Sequence, residues 1–166
     1  MLNHPFAPVF DKNSRVLILG SFPSVKSREQ MFYYGNPQNR FWKVLAGVFE
    51  DKEPKTIDEK CSFLIGHKIA LWDVLSSCVI EGSADSSIKN ARVNDFEIIF
   101  KEADIRKIFL NGKTAEKYFK KYAKENEDKV MCDFLCLPST SPANAVWSLK
   151  RLEEAWGAVK NAIDFI

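Results

Sequence analysis

Paired cysteines, histidine clusters, an excess of one charge and long apolar runs are all missing from this 166-residue sequence, and each absence closes a class of function. The four cysteines, Cys61, Cys78, Cys132 and Cys136, show no C-x-x-C spacing, and only His4 and His67 are on hand to join them. No zinc site is therefore expected, and the thiols read as reduced and mostly buried. No segment reaches the roughly 18 to 20 continuous apolar residues of a membrane span. The opening MLNHPFAPVFDKNSR also lacks the positive start and apolar run of a secretory signal, so a soluble cytoplasmic protein is expected. Lys and Arg total 24 against 22 Asp and Glu, a net charge of +2, which neither requires nor excludes a polyanionic partner. With no repeat, low-complexity tract or linker, and 46% hydrophobic residues, the chain reads as one domain, 1–166, with a single core.

What is present is an alternation of apolar runs and amphipathic stretches, the pattern of an α/β protein. Val16 to Leu19 is a short apolar run closed by Gly20, which suits a strand buried on both faces. Ile69 to Val74, Ile105 to Leu110 and Phe134 to Leu137 read alike. Helical patterns fall at about Asn39 to Phe49, Ile57 to Gly66, Thr114 to Lys124 and Ser148 to Phe165. Thr56 with Glu59, and Asn94 with Glu97, have capping-box spacing. The sum is a largely parallel sheet flanked by helices. Ligands of such sheets bind at the carboxyl ends of the strands, which directs attention to the loops GSFPS, SSCVIEGSADSS, NGKTA and PSTSPAN.

Each loop has a plain reading and a chemical one. Gly20-Ser21-Phe22-Pro23-Ser24 is either an ordinary strand-ending turn or a set of backbone N–H groups offered to a phosphate or base edge. In MFYYGNPQNRFWKVL, Asn39 caps a helix whose inner face carries Phe41, Trp42, Val44 and Leu45. A cap does not explain why Tyr33, Tyr34 and the turn Gly35-Asn36-Pro37 stand beside it, whereas an aromatic face next to an amide is what a planar heterocycle needs. Asn111-Gly112 has hairpin chemistry, but a helical pattern follows it, so Asn111 ends a strand with a donor and an acceptor to present to a base. Ser139, Thr140, Ser141 and Asn144, stiffened by Pro138 and Pro142, suit either a polar connection or a loop pressed against a phosphate backbone. Asp85 reads as a base, a phosphate-avoiding surface charge or a cap of its own turn, and most loop aspartates are solvated or local caps. Lys117, Lys120, Lys121 and Lys124 read as the wet face of their helix.

The ordered set GSFPS, YYGNPQNRFW, LWDVL, DSSIKN, FLNGKTA and LPSTSPAN, from Leu17 to about Leu149, resembles the uracil-DNA glycosylase superfamily, in its branch of mismatch-specific uracil and hypoxanthine-DNA glycosylases. The resemblance implies a three-layer α/β/α sandwich around a mainly parallel four-stranded sheet. It implies a monomeric enzyme without metal or cofactor that binds double-stranded DNA, flips a deaminated base such as hypoxanthine or uracil and hydrolyses its N-glycosidic bond. By motif match, Ser21 and Phe22 of the first loop and Asn111 fall at the base, and Ser139, Thr140, Ser141 and Asn144 fall at the DNA backbone and minor groove; Tyr34 is assigned to stacking on the base, with Tyr33 the alternative. Two positions depart from the wider superfamily. Phe22 stands where mismatch-specific enzymes have Asn, and Leu137 stands where classical uracil enzymes have a histidine. In the hypoxanthine branch the Asn before the Phe-Trp pair is the catalytic candidate, here Asn39, so the helix cap is also expected to orient the attacking water.

Glycosidic cleavage builds positive charge on the sugar and negative charge on the departing base. A neutral amide can orient water but is no strong base, so most of the rate is expected from leaving-group stabilisation and phosphate electrostatics. One rival is a non-catalytic DNA- or nucleotide-binding module on the same fold, separated from an enzyme by lesion-dependent strand nicking after alkali. The other is a small-molecule hydrolase using Ser21 or Ser139 as nucleophile, against which stand the missing G-x-S-x-G elbow and the positions of His4 and His67.

Overall fold

The computed structural model describes residues 1–165. Its elements run β1 (Leu2–Asn3), β2 (Val16–Gly20), α1 (Val25–Gln30), α2 (Phe41–Phe49), α3 (Ile57–Gly66), β3 (Ile69–Asp73), β4 (Leu75–Val79), β5 (Lys89–Val93), α4 (Glu97–Phe100), β6 (Lys107–Asn111), α5 (Lys113–Glu125), β7 (Asp133–Leu137) and α6 (Leu149–Asp164). Strands β2, β3, β6 and β7 form the expected four-stranded parallel sheet, flanked by helices, in the order β3-β2-β6-β7. All five residues of β2 and all five of β3 are buried, which is why both read as unbroken apolar runs rather than as alternating ones.

The strand order places the site. From β2 the chain crosses first to β3 on one side and later to β6 on the other, so the order reverses between β2 and β6, where α/β sheets open a crevice at their carboxyl ends. The register is exact there, since Gly20 pairs with Asp73 and Asn111 pairs with Leu137. Four strand-final residues thus share one rim.

Local chemistry sets most helix ends. Thr56 and Glu59 form the capping box, with the Thr56 hydroxyl accepting the Glu59 N–H at 3.1 Å and the Glu59 carboxylate accepting the Thr56 N–H at 3.2 Å. Ser148 caps α6 by accepting the Arg151 N–H. The second box is corrected by the structure. Asn94 is buried and its side-chain amide donates to the Asp73 carbonyl at 2.9 Å, while Asp95 accepts the Glu97 N–H ahead of α4. A buried strand-end carbonyl needs a donor, and that need takes Asn94 away from the helix. Helix α2 begins at Phe41 instead of Asn39, and Asn39 Oδ1 accepts the Phe41 N–H at 3.0 Å as a turn just outside the helix.

A second sheet, antiparallel and three-stranded in the order β1-β4-β5, lies outside the sequence-based expectation. Its β4 falls within the serine-rich stretch read as a loop, and its pairing with β5 shifts register on both sides of Ser77. Irregular pairing of this kind leaves no clean two-residue period to detect. Among the described residues no helix is long and apolar enough to cross a membrane.

Aromatic contacts tie the helices to the core. Helices α2 and α6 pack together, with the fully buried Trp156 edge-on to Phe41 at 5.9 Å, and Phe119 of α5 meets Phe134 of β7 at 5.2 Å. The Trp156 indole N–H donates to the Pro138 carbonyl at 2.9 Å, which joins α6 to the loop after β7. Trp156→Phe keeps a ring but strands that carbonyl, so unfolding in urea is expected to show a loss of about 1–3 kcal/mol with an unchanged m-value.

Candidate active site

A cleft of about 990 Å³ opens at the carboxyl ends of the parallel strands, lined by the end of β3, by the loops after β2, β4, β6 and β7 and by the turn before α2. Every residue singled out from the sequence as a candidate lies on it: Ser21, Phe22, Tyr34, Asn39, Asn111, Ser139, Thr140, Ser141 and Asn144.

Thr140 joins three of these segments: the loop after β7, the end of β6 and the turn before α2. Its hydroxyl donates to Asn39 Oδ1 at 2.9 Å and accepts from Asn111 Nδ2 at 3.0 Å, while its backbone N–H donates to Asn111 Oδ1 at 3.1 Å. Asn111 Nδ2 also donates to the Tyr34 hydroxyl at 3.1 Å. Both amide orientations follow from this pattern, because the Phe41 and Thr140 backbone N–H groups can only donate and so must face oxygens. Counting lone pairs then defines what remains. Asn39 Oδ1 accepts twice and is saturated, leaving its amino group; Asn111 has spent both Nδ2 hydrogens and retains one lone pair on Oδ1.

The placement of Thr140 differs from its expected role. It is 0% exposed, so its side chain holds loops to one another instead of meeting DNA. Asn144 and Ser139 also work within the loop, since Asn144 Nδ2 donates to the Ser139 carbonyl at 3.0 Å and Ser139 Oγ accepts the Ser141 N–H at 3.1 Å. The exposed surface of this loop is Pro142, Ala143, Ala145 and Val146.

Tyr34 and Tyr33 divide clearly. Tyr33 is 1% exposed and donates its hydroxyl to the Ala7 carbonyl at 2.8 Å, which places its ring in the core. Tyr34 has a left-handed backbone, φ 52°, a conformation that costs a non-glycine residue about 1–2 kcal/mol. One face of its ring stacks on Phe41 with centroids 3.9 Å apart, so only the other face or the edge is left for a ligand. Burial first, and the Asp73 charge second, raise its pKa, so it is a neutral phenol at physiological pH. Gly20 makes this arrangement possible. A Cβ there would lie 2.5 Å from Asp73 Oδ1 and 2.7 Å from the Tyr34 hydroxyl oxygen, so any side chain would push both away.

The two departures from the superfamily pattern are both apolar packing. Phe22 is 7% exposed, meets His4 edge-on at 6.0 Å and lies under the Arg28 guanidinium at 5.8 Å. Leu137 is 4% exposed. Neither side chain carries a polar group for water or base.

Three further residues of the site were not assigned roles from the sequence. Asp73 ends β3 and meets His4 Nε2 through Oδ2 at 2.8 Å, both side chains 5% exposed. The strand-end rule alone points to Asp73, but nothing local links it to His4, 69 positions away. Arg40 donates from its guanidinium to the carbonyls of Trp147, Ser141 (3.4 Å) and Asn144 (3.1 Å), and its backbone N–H to the Thr140 carbonyl at 3.1 Å. It anchors the last loop to the start of α2. By contrast Lys117, Lys120, Lys121 and Lys124 are exposed on α5, with Lys120 paired to Glu116 at 3.4 Å, as a solvated face requires.

Thr140→Val keeps the shape of the side chain but removes the hydroxyl, leaving one Asn111 hydrogen and one Asn39 lone pair without partners. Denaturant unfolding is expected to show a loss of about 1–3 kcal/mol, with most of it retained in Thr140→Ser.

The fold and the loop sequences agree with known proteins. The family model of the uracil DNA glycosylase superfamily matches residues 7–160. A hypoxanthine DNA glycosylase of Methanosarcina acetivorans is 37% identical over 165 residues, covering 96% of this chain and 98% of that protein. One of Methanosarcina barkeri is 36% identical over 120 residues, 71% of this chain and 76% of that one. A solution NMR structure of a candidate uracil DNA glycosylase from Methanosarcina acetivorans superposes with a TM-score of 0.82 at 33% identity, covering 99% of both chains. With a match over nearly the whole length in sequence and in structure, the chain belongs to the uracil DNA glycosylase superfamily.

Proposed function

We propose that the protein is a monofunctional base-excision repair glycosylase that binds double-stranded DNA as a monomer, flips a deaminated base into the cleft and hydrolyses its N-glycosidic bond. Hypoxanthine is the preferred base. The observation that carries this reading is the single lone pair left on Asn111 Oδ1 once Thr140 and Tyr34 have taken the rest of the amide.

Deamination turns the ring nitrogen acceptor of adenine or cytosine into an N–H donor. An acceptor-only Asn111 welcomes that donor and confronts the lone pair of the undamaged base, and such a mismatch of buried polar groups discriminates by more than a lost contact does. The open face of Tyr34 gives the flipped base a stacking platform. Purine preference is supported by the buried Leu137, which offers no hydrogen bond to a uracil oxygen.

Asn39 positions the attacking water. Its Oδ1 is saturated by Phe41 and Thr140, so it holds the water oxygen by donating from Nδ2. Ser139, Ser141 and Asn144 shape the loop that enters the minor groove, and the exposed Pro142, Ala143 and Val146 make its contact surface. A net charge of only +2 makes the affinity modest and salt-sensitive.

Single-turnover cleavage of duplexes carrying hypoxanthine, uracil or xanthine, read as strand nicking after alkali, tests this. Wild type is expected to release hypoxanthine fastest, and Asn39→Ala to lose at least about tenfold, or roughly 1.4 kcal/mol of transition-state stabilisation. A wild type that retains the duplex but releases no base would replace the enzyme with a binding module.

A further inference from the structure

We propose that the Asp85 carboxylate accepts the proton of the attacking water, a role that Asn39 cannot fill. The proposal rests on the glycosylase reading and follows from what the cleft leaves unpaired.

A water activated for attack on the sugar needs its oxygen held and one hydrogen accepted, with a lone pair left to form the new bond. Asn39 can do only the first, since both lone pairs of its Oδ1 are used inside the protein. The carboxylates lining the cleft are Asp73, Asp85 and Glu116. Asp73 is closed off by His4 at 2.8 Å, and Glu116 is paired with Lys120 at 3.4 Å. Asp85 is exposed to the cleft, with the Ser21 hydroxyl 3.0 Å from each of its oxygens. Each hydroxyl on it, that of Ser21 and that of Thr114, has one hydrogen to give, so lone pairs of the carboxylate remain for water.

The segment around Asp85 is held in place, as a positioned base requires. Ser87 Oγ accepts the Glu81 N–H at 2.8 Å and donates to the Ala84 carbonyl at 2.6 Å. Ser83 Oγ accepts the Val25 N–H at 2.9 Å, and Arg28 donates to the Gly82 carbonyl at 3.2 Å. Both ends of the turn are therefore tied, one to itself and one to α1.

Solvent reaches Asp85, but the cleft walls strip part of its hydration. This desolvation, with the Asp73 charge adding to it, raises its pKa against the lowering effect of the Ser21 and Thr114 hydroxyls. Tyr34 and Cys78 also face it, and His4 stands behind Asp73. A carboxylate so shifted is a stronger base than an ordinary one.

The step balances as a hydrolysis. The water oxygen bonds to the anomeric carbon as the carbon–nitrogen bond breaks, and its electron pair leaves with the base. One water proton passes to Asp85 and then to solvent, while the departing base is protonated from solvent.

The test compares wild type, Asp85→Asn and Asp85→Glu on a hypoxanthine duplex under single-turnover conditions across pH. Binding is measured in parallel on a duplex whose lesion carries a 2′-fluorine and resists cleavage. Asp85→Asn is expected to lose about a hundredfold or more in rate while binding the duplex within about threefold of wild type. The wild-type rate falls on the acid side as Asp85 protonates, above the usual carboxylate range. That limb disappears in Asp85→Asn and persists in Asp85→Glu, which retains an intermediate rate.

Asp85→Asn at the wild-type rate overturns the proposal and leaves the glycosylase reading standing. A slow variant whose acid limb is unmoved, or whose duplex binding is lost with the rate, also overturns it, because Asp85 then acts in folding or DNA retention. A wild type that releases no base removes the glycosylase reading and this proposal with it.

Discussion

The site depends on one buried hydroxyl. Thr140 is fully enclosed, and the hydrogen bonds of its hydroxyl and backbone N–H join the loop after β7 to the end of β6 and to the turn before α2. Loops are the parts of an α/β protein most free to drift, and each of these contributes a side chain that must hold its orientation for a reaction that tolerates little misplacement. A chain of hydrogen bonds running from the Tyr34 hydroxyl through Asn111 and Thr140 to Asn39 and the Phe41 N–H makes the orientation of each amide the consequence of the next. Such a network is strong only when every member is satisfied.

Satisfying the network internally also determines what the amides can offer a ligand. Asparagine is chemically symmetric enough to read a base edge or a water in either sense, as donor or acceptor. Here that ambiguity is removed: Asn111 is left an acceptor and Asn39 a donor. The single acceptor left on Asn111 and the lack of any free lone pair on Asn39 Oδ1 are thus two results of the same arrangement. The rigid support has a local cost, visible in the left-handed Tyr34 and in the absence of any side chain at Gly20, where Asp73 and the Tyr34 hydroxyl meet.

Much of this was legible in the sequence because it rests on local or periodic signals. Doubly buried strands leave unbroken apolar runs, so Val16–Gly20 and Ile69–Asp73 could be read directly, and strand ends then directed attention to Gly20, Asn111 and the loop after Leu137. The Thr56 and Glu59 capping box is local and was found; that of Asn94 and Glu97 has the same spacing, but a tertiary demand, the Asp73 carbonyl, claimed Asn94. The second sheet was missed because its pairing is bulged and serine-rich. Arg40 and the His4–Asp73 pair were missed for a different reason: their partners are about 70 to 107 positions away, and no spacing rule reaches that far. Thr140 was found as a site residue but given an outward role, because residue type alone does not distinguish a hydroxyl that meets DNA from one that holds the loop meeting it.

The two apolar departures acquire a common meaning once the geometry is known. Phe22, in the loop after β2, and Leu137, at the end of β7, stand where polar groups are expected from the superfamily pattern, and both are packed away. On the proposed reading the chemistry rests instead on the turn before α2 and on the segment around Asp85, which lie outside the parallel strands. Both segments are tied down by hydrogen bonds, one through Thr140 and Arg40, the other through Ser87, Ser83 and Arg28. Segments held in this way can present side chains as precisely as a scaffold element does.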